Sequence, residues 1–283
     1  MSLERRQPYA ASAHDLVVSY GGHIALDTSS FTIPAGSVTA VIGPNGSGKS
    51  TLLNAIAGLL APTSGKMDVP ARASGLRRIS YVLQTTKVND ALPITVEEVV
   101  AMGRFRGAFG RLTSEDREAI ASAMERTDIA DLARRHLQEL SGGQRQRVFV
   151  SQGLAQNHDI LLLDEPMTGI DLLTAKAIDD VIHNERDRGC TVIITTHDLS
   201  EAGVADHVLL LAGRVVAFGT PGQVLTSENL AGAYGSALLH AEEGRALIDD
   251  AAHTPVSGRH SHRERVIYTE LSQSDQHGDT HSR

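Results

Sequence analysis

The segment GPNGSGKS at residues 43–50 has the residue types and the spacing that bind phosphate. Its glycines allow backbone N–H groups to approach phosphate oxygens, Lys49 can reach the outer phosphates, and the hydroxyl of Ser50 can coordinate Mg²⁺. A strand-like run precedes the segment and a helical run follows it, as this loop, the Walker A motif, requires. We therefore predict a nucleotide site built from nine consecutive residues: Gly43, Pro44, Asn45, Gly46, Ser47, Gly48, Lys49, Ser50 and Thr51.

Two adjacent carboxylates follow the apolar run of ILLLDEP. The run indicates a buried strand, and open α/β sheets bind their ligands at the carboxyl ends of the strands. Asp164 would then hold Mg²⁺, directly or through water, while Glu165 would polarise the water that attacks the γ-phosphate. Taken alone, the pair is also compatible with a solvated strand end. Beside a phosphate-binding loop, the catalytic interpretation is favoured.

The stretch LSGGQ at residues 140–144 predicts a second helix start that is suited to an anion. Ser141 can cap the helix, and Gly142 and Gly143 lack the Cβ atom that would block a phosphate. One nucleotide needs only one such cradle, so one interpretation is that this one serves a nucleotide held by something else. The alternative is that the glycines allow close helix packing.

The elements that must position these residues alternate between strands and helices. Strand-like runs include GSVTAVIG, RISYVLQ, DILLLDEP and CTVIITTHD, and HVLLLAGRVVAFG indicates a closing hairpin. This alternation predicts a parallel sheet with helices on both faces. Three runs with helical spacing, the last of them IADLARRHLQEL, predict a helical insertion over residues 86–140.

Composition narrows the classes of protein that need to be considered. The chain has 283 residues, of which 41% are hydrophobic, and its net charge of −8 disfavours nucleic acid as a partner. Cys190 is the single cysteine, so an intrachain disulfide is impossible. The start MSLERRQPYA lacks the apolar core of a signal peptide, and no apolar run approaches the roughly 18 residues that span a bilayer. We expect a cytoplasmic protein.

Residues 240–283 form a tail of different composition, with six of the thirteen histidines and few large apolar side chains. We expect a flexible segment in which RERVIYTEL could form one short strand. His260 with His262, and His277 with His281, could gather a metal such as Zn²⁺. The alternative is an ordinary solvated chain end.

With these motifs in this order, residues 15–225 resemble the ATP-binding subunit of an ABC transporter. Tyr20 matches the aromatic residue of that family that stacks on adenine. Gln84 matches the glutamine that senses Mg²⁺ and the attacking water, and His197 in TTHD matches the histidine that contacts the γ-phosphate. The resemblance implies a P-loop NTPase fold of the ABC ATPase type over residues 14–239. That fold has a mostly parallel sheet core, an antiparallel β subdomain and an inserted α-helical subdomain.

The resemblance also implies how the protein works. ATP and Mg²⁺ would be its cofactors, with Ser50, Gln84 and Asp164 near the metal and Glu165, Gln84 and His197 as catalytic residues. LSGGQ is the family signature, so Ser141, Gly142, Gly143 and Gln144 would close on ATP held by a second copy in a head-to-tail dimer. The dimer would drive a separate integral-membrane permease on the inner face of the cell membrane, fed indirectly by an extracytoplasmic substrate-binding protein.

One departure from the common family pattern suggests a subfamily. Where many members read SALD after the two carboxylates, this chain reads TGID, with Gly169 and Asp171 in the loop that crosses the dimer interface. Together with LPITVEEVVAMGR, this is similar to importers of manganese, zinc or iron, and zinc or manganese is our first expectation. Importers of iron chelates, haem or cobalamin are the alternative. A non-transport ABC ATPase would have a long coiled coil or a second cassette, and a P-loop kinase would lack LSGGQ.

Overall fold

The computed structural model describes residues 8–73, 79–84, 93–105 and 111–235, together with the backbone of residues 238–239 and 247–248. The strands are β1 (Tyr9–Tyr20), β2 (His23–Pro34), β3 (Val38–Ile42), β4 (Ser64–Asp68), β5 (Ile79–Val82), β6 (Ile160–Asp164), β7 (Thr191–Thr195), β8 (His207–Leu211), β9 (Val215–Gly219), β10 (Leu238–Leu239) and β11 (Leu247–Ile248). The helices are α1 (Lys49–Ala57), α2 (Pro70–Ala73), α3 (Val96–Ala101), α4 (Ser114–Arg126), α5 (Gly142–Ala155), α6 (Leu172–Asp187), α7 (Leu199–Gly203), α8 (Pro221–Val224) and α9 (Ser227–Tyr234).

The central sheet has six strands in the order β5-β6-β7-β3-β8-β9. Its first five strands are parallel, and β9 closes the edge antiparallel to β8. A separate antiparallel sheet has the order β2-β1-β4, and β10 pairs with β11. The predicted combination of a mostly parallel core with an antiparallel part is confirmed.

The central sheet is buried on both faces, which explains why its inner strands are apolar throughout. In β6, Leu161 and Leu163 face one hydrophobic cluster, while Ile160 and Leu162 face the other. Helix α6 covers the first face, and α1 with the antiparallel sheet covers the second. The sheet is therefore a rigid platform, and its carboxyl edge carries the loops of the predicted site.

A group of helices is inserted between β5 and β6. Helices α3 and α4 both begin with a capping box, at Thr95 and Thr113 respectively, and both contact α5. A capping box satisfies two backbone N–H groups that would otherwise lack partners, so these polar residues define the starts of the helices. Helix α5 also contacts the sheet, because Ser80 Oγ in β5 donates to the carbonyl of Gly153 at 3.0 Å.

The helix predicted for IADLARRHLQEL is wrong. This run forms two single 3₁₀ turns: Ala130–Leu132 and Leu137–Glu139. The N–H groups of Val96 and Glu97 at the start of α3 donate to the carbonyls of Arg135 and Ala133, each at 3.0 Å. A continuous helix needs those carbonyls for its own hydrogen bonds, so tertiary pairing replaces the helix that the apolar spacing favours.

The predictions for the tail at residues 240–283 lie outside the described residues, apart from the backbone of β11. This applies to the histidine pairs and to the strand at RERVIYTEL. Within the part of the chain that the structure describes, no helix has both the length and the apolar character needed to cross a bilayer.

Candidate functional site

The predicted phosphate-binding loop joins the end of β3 to the start of α1. A Cβ atom on Gly43 would lie 2.1 Å from the carbonyl oxygen of Leu211, and one on Gly48 would lie 2.7 Å from that of Ala25. Gly48 also has a φ of 102°, which residues with side chains rarely adopt. Backbone contacts with β8 and β2 therefore hold the loop in place.

Two side chains of the loop place donors inside it. Lys49 is 6% exposed, and its Nζ donates to the carbonyls of Gly43 at 2.8 Å and Pro44 at 3.2 Å. Ser47 Oγ is buried and, within the described residues, has no hydrogen-bond partner. A buried ammonium and an unsatisfied hydroxyl inside a glycine loop are the donors that phosphate oxygens require.

The remaining loop residues lie towards solvent. Asn45 and Gly46 are exposed at its tip, and Ser50 is exposed in the first turn of α1, with Thr51 partly buried behind it. The exposed face of the loop lies at the carboxyl edge of the central sheet, where the predicted carboxylates also end. The sequence prediction that one loop meets one acidic strand end is consistent with this placement.

The structure brings Gln84 and Glu165 into direct contact, although 81 residues separate them in the sequence. Gln84 Nε2 donates to Glu165 Oε2 at 2.9 Å, and Thr168 Oγ1 donates to the same oxygen at 3.3 Å. Glu165 has a left-handed backbone with a φ of 48°. The strained conformation and the two donors fix the direction of the carboxylate as the chain leaves β6.

Thr195 is a site residue that the sequence did not reveal. Its hydroxyl donates to Asp164 Oδ1 at 2.6 Å and accepts from the backbone N–H of Glu165 at 2.8 Å. On the other side, the hydroxyl of Tyr81 donates to Asp164 Oδ2 at 3.5 Å. Burial, followed by the charge of Asp164, raises the pKa of Tyr81, so this hydroxyl stays a donor at neutral pH.

His197 and Tyr20 are both exposed, and each lies at the end of a strand or just beyond it. His197 is exposed two residues beyond Thr195, at the same carboxyl edge of the sheet as Asp164. Tyr20 ends β1 with its side chain 72% exposed, next to the turn that leads into β2. Because β2 abuts Gly48, the exposed tyrosine ring lies on the hairpin that flanks the loop.

The predicted second helix start is present. Ser141 is the N-cap of α5: the N–H of Gln144 donates to its Oγ at 3.3 Å, and the Gln144 side chain accepts from the N–H of Ser141 at 3.0 Å. Among the described residues, apart from its chain neighbours and the backbone of α5, no atom lies within 4 Å of the Cβ position of Gly142. The helix start therefore has an open, glycine-lined approach suited to an anion.

Helix α5, which begins within the LSGGQ signature, packs against the end of the TGID loop and the start of α6. A Cβ atom on Gly143 would lie 2.8 Å from Thr174 Oγ1 and 3.1 Å from Asp171 Oδ2, so Gly143 packs closely and Gly142 does not. Asp171 caps α6, because its two carboxylate oxygens accept from the N–H and the hydroxyl of Thr174 at 3.0 and 2.9 Å. Those hydrogen bonds lower the pKa of Asp171. Gly169, with a φ of 72°, makes the turn before it.

Residues 26–168 match the family model of the ABC transporter ATP-binding domain. The chain belongs to the ABC transporter family. The ABC ATPase binds ATP and couples its hydrolysis to transport, in agreement with the loop and the acidic strand end described above.

Named relatives support the same family. The ABC ATPase is 40% identical over 245 residues to the chelated iron transport system membrane protein YfeB of Yersinia pestis, covering 83% of each chain. It is 37% identical over 228 residues to the manganese transport system ATP-binding protein MntA of Synechocystis sp., covering 77% of this chain and 87% of that protein. It is 38% identical over 258 residues to the zinc transport system ATP-binding protein TroB of Treponema pallidum, covering 88% of this chain and 97% of that protein.

Solved structures agree with the fold. A metal-chelate type ABC transporter in an inward-facing conformation matches with a TM-score of 0.71 and 30% identity over 81% of this chain and 89% of that chain. A bacterial ABC transporter cassette solved as a dimer matches with a TM-score of 0.63 and 27% identity over 75% of this chain and 98% of that chain.

Proposed function

We propose that this ABC ATPase powers the import of a metal ion, zinc or manganese in the first instance, through a separate membrane permease. The support comes from relatives named for manganese and zinc transport, and from the TGID loop and the LPITVEEVV segment. Uptake of chelated iron is the second candidate, since YfeB and the metal-chelate type transporter carry that description. The substrate-binding protein would act outside the membrane, and this chain on the inner face.

The hydrogen-bonded group of Gln84, Asp164, Glu165 and Thr195 supports a specific division of labour. Asp164, Ser50 and Gln84 offer a carboxylate, a hydroxyl and an amide oxygen, the hard oxygen donors that suit Mg²⁺. The ion would neutralise charge on the phosphates of ATP when bound. Asp164 would hold its position because Thr195 and Tyr81 occupy one side of each carboxylate oxygen.

Glu165 is the proposed acceptor for the attacking water. Its Oε2 accepts from Gln84 and Thr168, which leaves Oε1 as the oxygen that could receive a water proton. Lys49 would hold the outer phosphates, and exposed His197 would contact the γ-phosphate. Tyr20 would stack on adenine through its exposed ring.

A second copy of the chain would complete each ATP site. Ser141 already satisfies the N–H of Gln144, so the N–H groups of Gly142 and Gly143 are the ones that could meet a phosphate across the interface. The related cassette solved as a dimer supports this arrangement. Gln144 would act indirectly, because its side chain is occupied in the capping box.

Glu165→Gln tests the assignment of the site. The amide keeps the shape of the side chain but loses the charge, so we expect ATP binding without turnover and a long-lived dimer in ATP and Mg²⁺ on size-exclusion chromatography. Glu125→Gln, an exposed carboxylate on α4, is the matched control and should hydrolyse ATP normally. A Glu165→Gln chain that stays monomeric and still hydrolyses ATP would contradict the proposal.

Metal accumulation tests the substrate. A strain of the source organism that lacks this chain should take up less zinc or manganese from metal-limited medium, and the wild-type gene, but not Glu165→Gln, should restore uptake. Loss of iron uptake alone would select the second candidate. Unchanged uptake of all three metals would contradict the proposed metal substrate while leaving the ATPase assignment intact.

A further inference from the structure

Three potential metal ligands, His158, Glu185 and Cys190, converge at the edge of the sheet opposite the nucleotide site. One ligand atom from each residue lies within 4.8 Å of the others. His158 lies two residues before β6 and Cys190 directly precedes β7, so both lie at the amino ends of the strands that carry Asp164 and Thr195 at their carboxyl ends. The proposed function uses none of the three.

The imidazole of His158 is oriented towards the centre of this cluster. Its Nδ1 donates to the carbonyl of Gln156 at 2.8 Å, and its Nε2 lies 3.0 Å from Glu185 Oε2. The side chain of His158 is 3% exposed and that of Glu185 is fully buried. Histidines that bind metals commonly donate their other N–H to a carbonyl or carboxylate, because this fixes the ring and the tautomer.

The two oxygens of Glu185 have different partners. Oε1 accepts from Arg126 of α4 and from Arg188, the latter at 2.8 Å, while Oε2 faces His158. Burial opposes the negative charge of Glu185, but the contacts with His158 and then Arg126 outweigh burial and lower its pKa. Both ring nitrogens of His158 therefore face oxygen atoms, Nδ1 the carbonyl of Gln156 and Nε2 the carboxylate of Glu185.

Cys190 is a protonated thiol in the same cluster. Its Sγ donates to the carbonyl of His158 at 3.5 Å. Burial, and next the charge of Glu185, raise the pKa of the thiol to about 12. The thiol is therefore a poor nucleophile at neutral pH, and it would become a thiolate only when a cation binds the sulfur and its proton is released to water.

The two arginines contact one oxygen of Glu185, and the cluster faces the other. Arg126 and Arg188 both bind Oε1, whereas Oε2 faces His158. Oε2 is therefore the oxygen that a cation held by His158 and Cys190 would meet. Because metals bind the thiolate form of cysteine, binding would displace the thiol proton of Cys190.

We propose that His158, Glu185 and Cys190 form a binding site for zinc at the amino ends of β6 and β7. Nitrogen, oxygen and sulfur ligands together suit this borderline cation, and three protein ligands leave a fourth position for water. Metal–ligand bonds of about 2.0–2.3 Å in a tetrahedral site place the ligand atoms roughly 3.3–3.8 Å apart. The ligand atoms of this cluster now lie within 4.8 Å of one another, so Cys190 Sγ needs to move by about 1 Å. The cluster opens to solvent beside Cys190, where the Arg188 side chain is 62% exposed. This site would exist whichever metal the transporter carries.

Cobalt titration of the reduced full-length protein tests the site. Co²⁺ occupies zinc sites and gives a sulfur-to-metal charge-transfer band when a thiolate binds it. Because Cys190 is the only cysteine in the sequence, the band can come only from this cluster, and the histidines of residues 240–283 cannot produce it. We expect a band that saturates at about one Co²⁺ per chain and disappears when Zn²⁺ displaces cobalt.

Three variants complete the test. Cys190→Ser should abolish the band, and His158→Gln should raise the Co²⁺ concentration needed for it at least about tenfold. His183→Gln removes a half-exposed histidine of α6 that lies outside the cluster, and it should leave the titration unchanged. The proposal is overturned if the wild-type protein shows no band, or if His158→Gln binds Co²⁺ at Cys190 as tightly as the wild type does.

Discussion

Replacing Glu185 with glutamine should destabilise the folded protein strongly. Glutamine offers one acceptor oxygen in place of two, so its amide N–H groups must face either the Arg126 guanidinium or the His158 ring. The side chains of these two partners are 23% and 3% exposed, and water can replace little of the lost carboxylate. Removing one partner of a buried ion pair costs about 3–5 kcal/mol, and we expect a loss near the lower figure.

Urea denaturation followed by circular dichroism measures this loss at pH 7. The matched control is Arg188→Gln, which removes a partner of the same Glu185 oxygen. Since the Arg188 side chain is 62% exposed, its loss should cost less than about 1 kcal/mol. The two variants separate the effect of a buried charge from that of an exposed one.

The loss caused by Glu185→Gln should also depend on pH. The folded-state pKa of Glu185 lies below its ordinary value of 4.5, so its contribution is complete above about pH 4.5 and declines as the pH falls further. The gap between wild type and variant should narrow in acid. The reasoning fails if Glu185→Gln is as stable as Arg188→Gln at pH 7, or if the gap widens below pH 4.5.

Three further variants probe the nucleotide site and the signature helix. Ser141→Arg should abolish ATPase activity without weakening ATP binding to the isolated chain. Mixing it with Lys49→Ala should restore activity, because a dimer of one chain of each variant keeps one intact site. Thr195→Val should lower kcat at least about tenfold with little change in ATP affinity, since it removes the donor to the Asp164 carboxylate and the acceptor of the Glu165 backbone N–H, and Thr195→Ser should retain activity. Gly143→Ala should lower the free energy of unfolding in urea by about 1–3 kcal/mol, because its Cβ atom would contact Thr174 and Asp171 too closely. Gly142→Ala should leave the free energy of unfolding nearly unchanged.

The parts of the site that could be predicted are those that a short segment carries by itself. The phosphate-binding loop and the carboxylates at 164 and 165 are contiguous motifs, and their position at the carboxyl edge of a parallel sheet follows from strand and helix alternation. The cap at Ser141 follows from residue type alone. Gln84 was assigned to the site only through family resemblance, and its hydrogen bond to Glu165 was not predicted, because no spacing rule joins residues that far apart.

The features that were missed depend on tertiary contacts. Thr195 is one threonine among several in TVIITTHD, and only the pairing of β6 with β7 places its hydroxyl between the Asp164 carboxylate and the backbone N–H of Glu165. His158, Glu185 and Cys190 have no motif spacing, since a loop, a helix and a strand start bring them together. The segment before LSGGQ forms 3₁₀ turns because the N–H groups at the start of α3 donate to its carbonyls, which a continuous helix would need for its own hydrogen bonds.

The left-handed backbone of Glu165 has a consequence for how this protein can be made more heat-resistant. A φ of 48° costs an ordinary residue about 1 kcal/mol, whereas asparagine adopts this conformation readily. A screen for thermal stability alone should therefore enrich Glu165→Asn, a change that removes the proposed water-activating carboxylate. Laboratory evolution of this protein would have to select for ATP turnover in every round, or the gain in stability would come at the residue on which turnover depends.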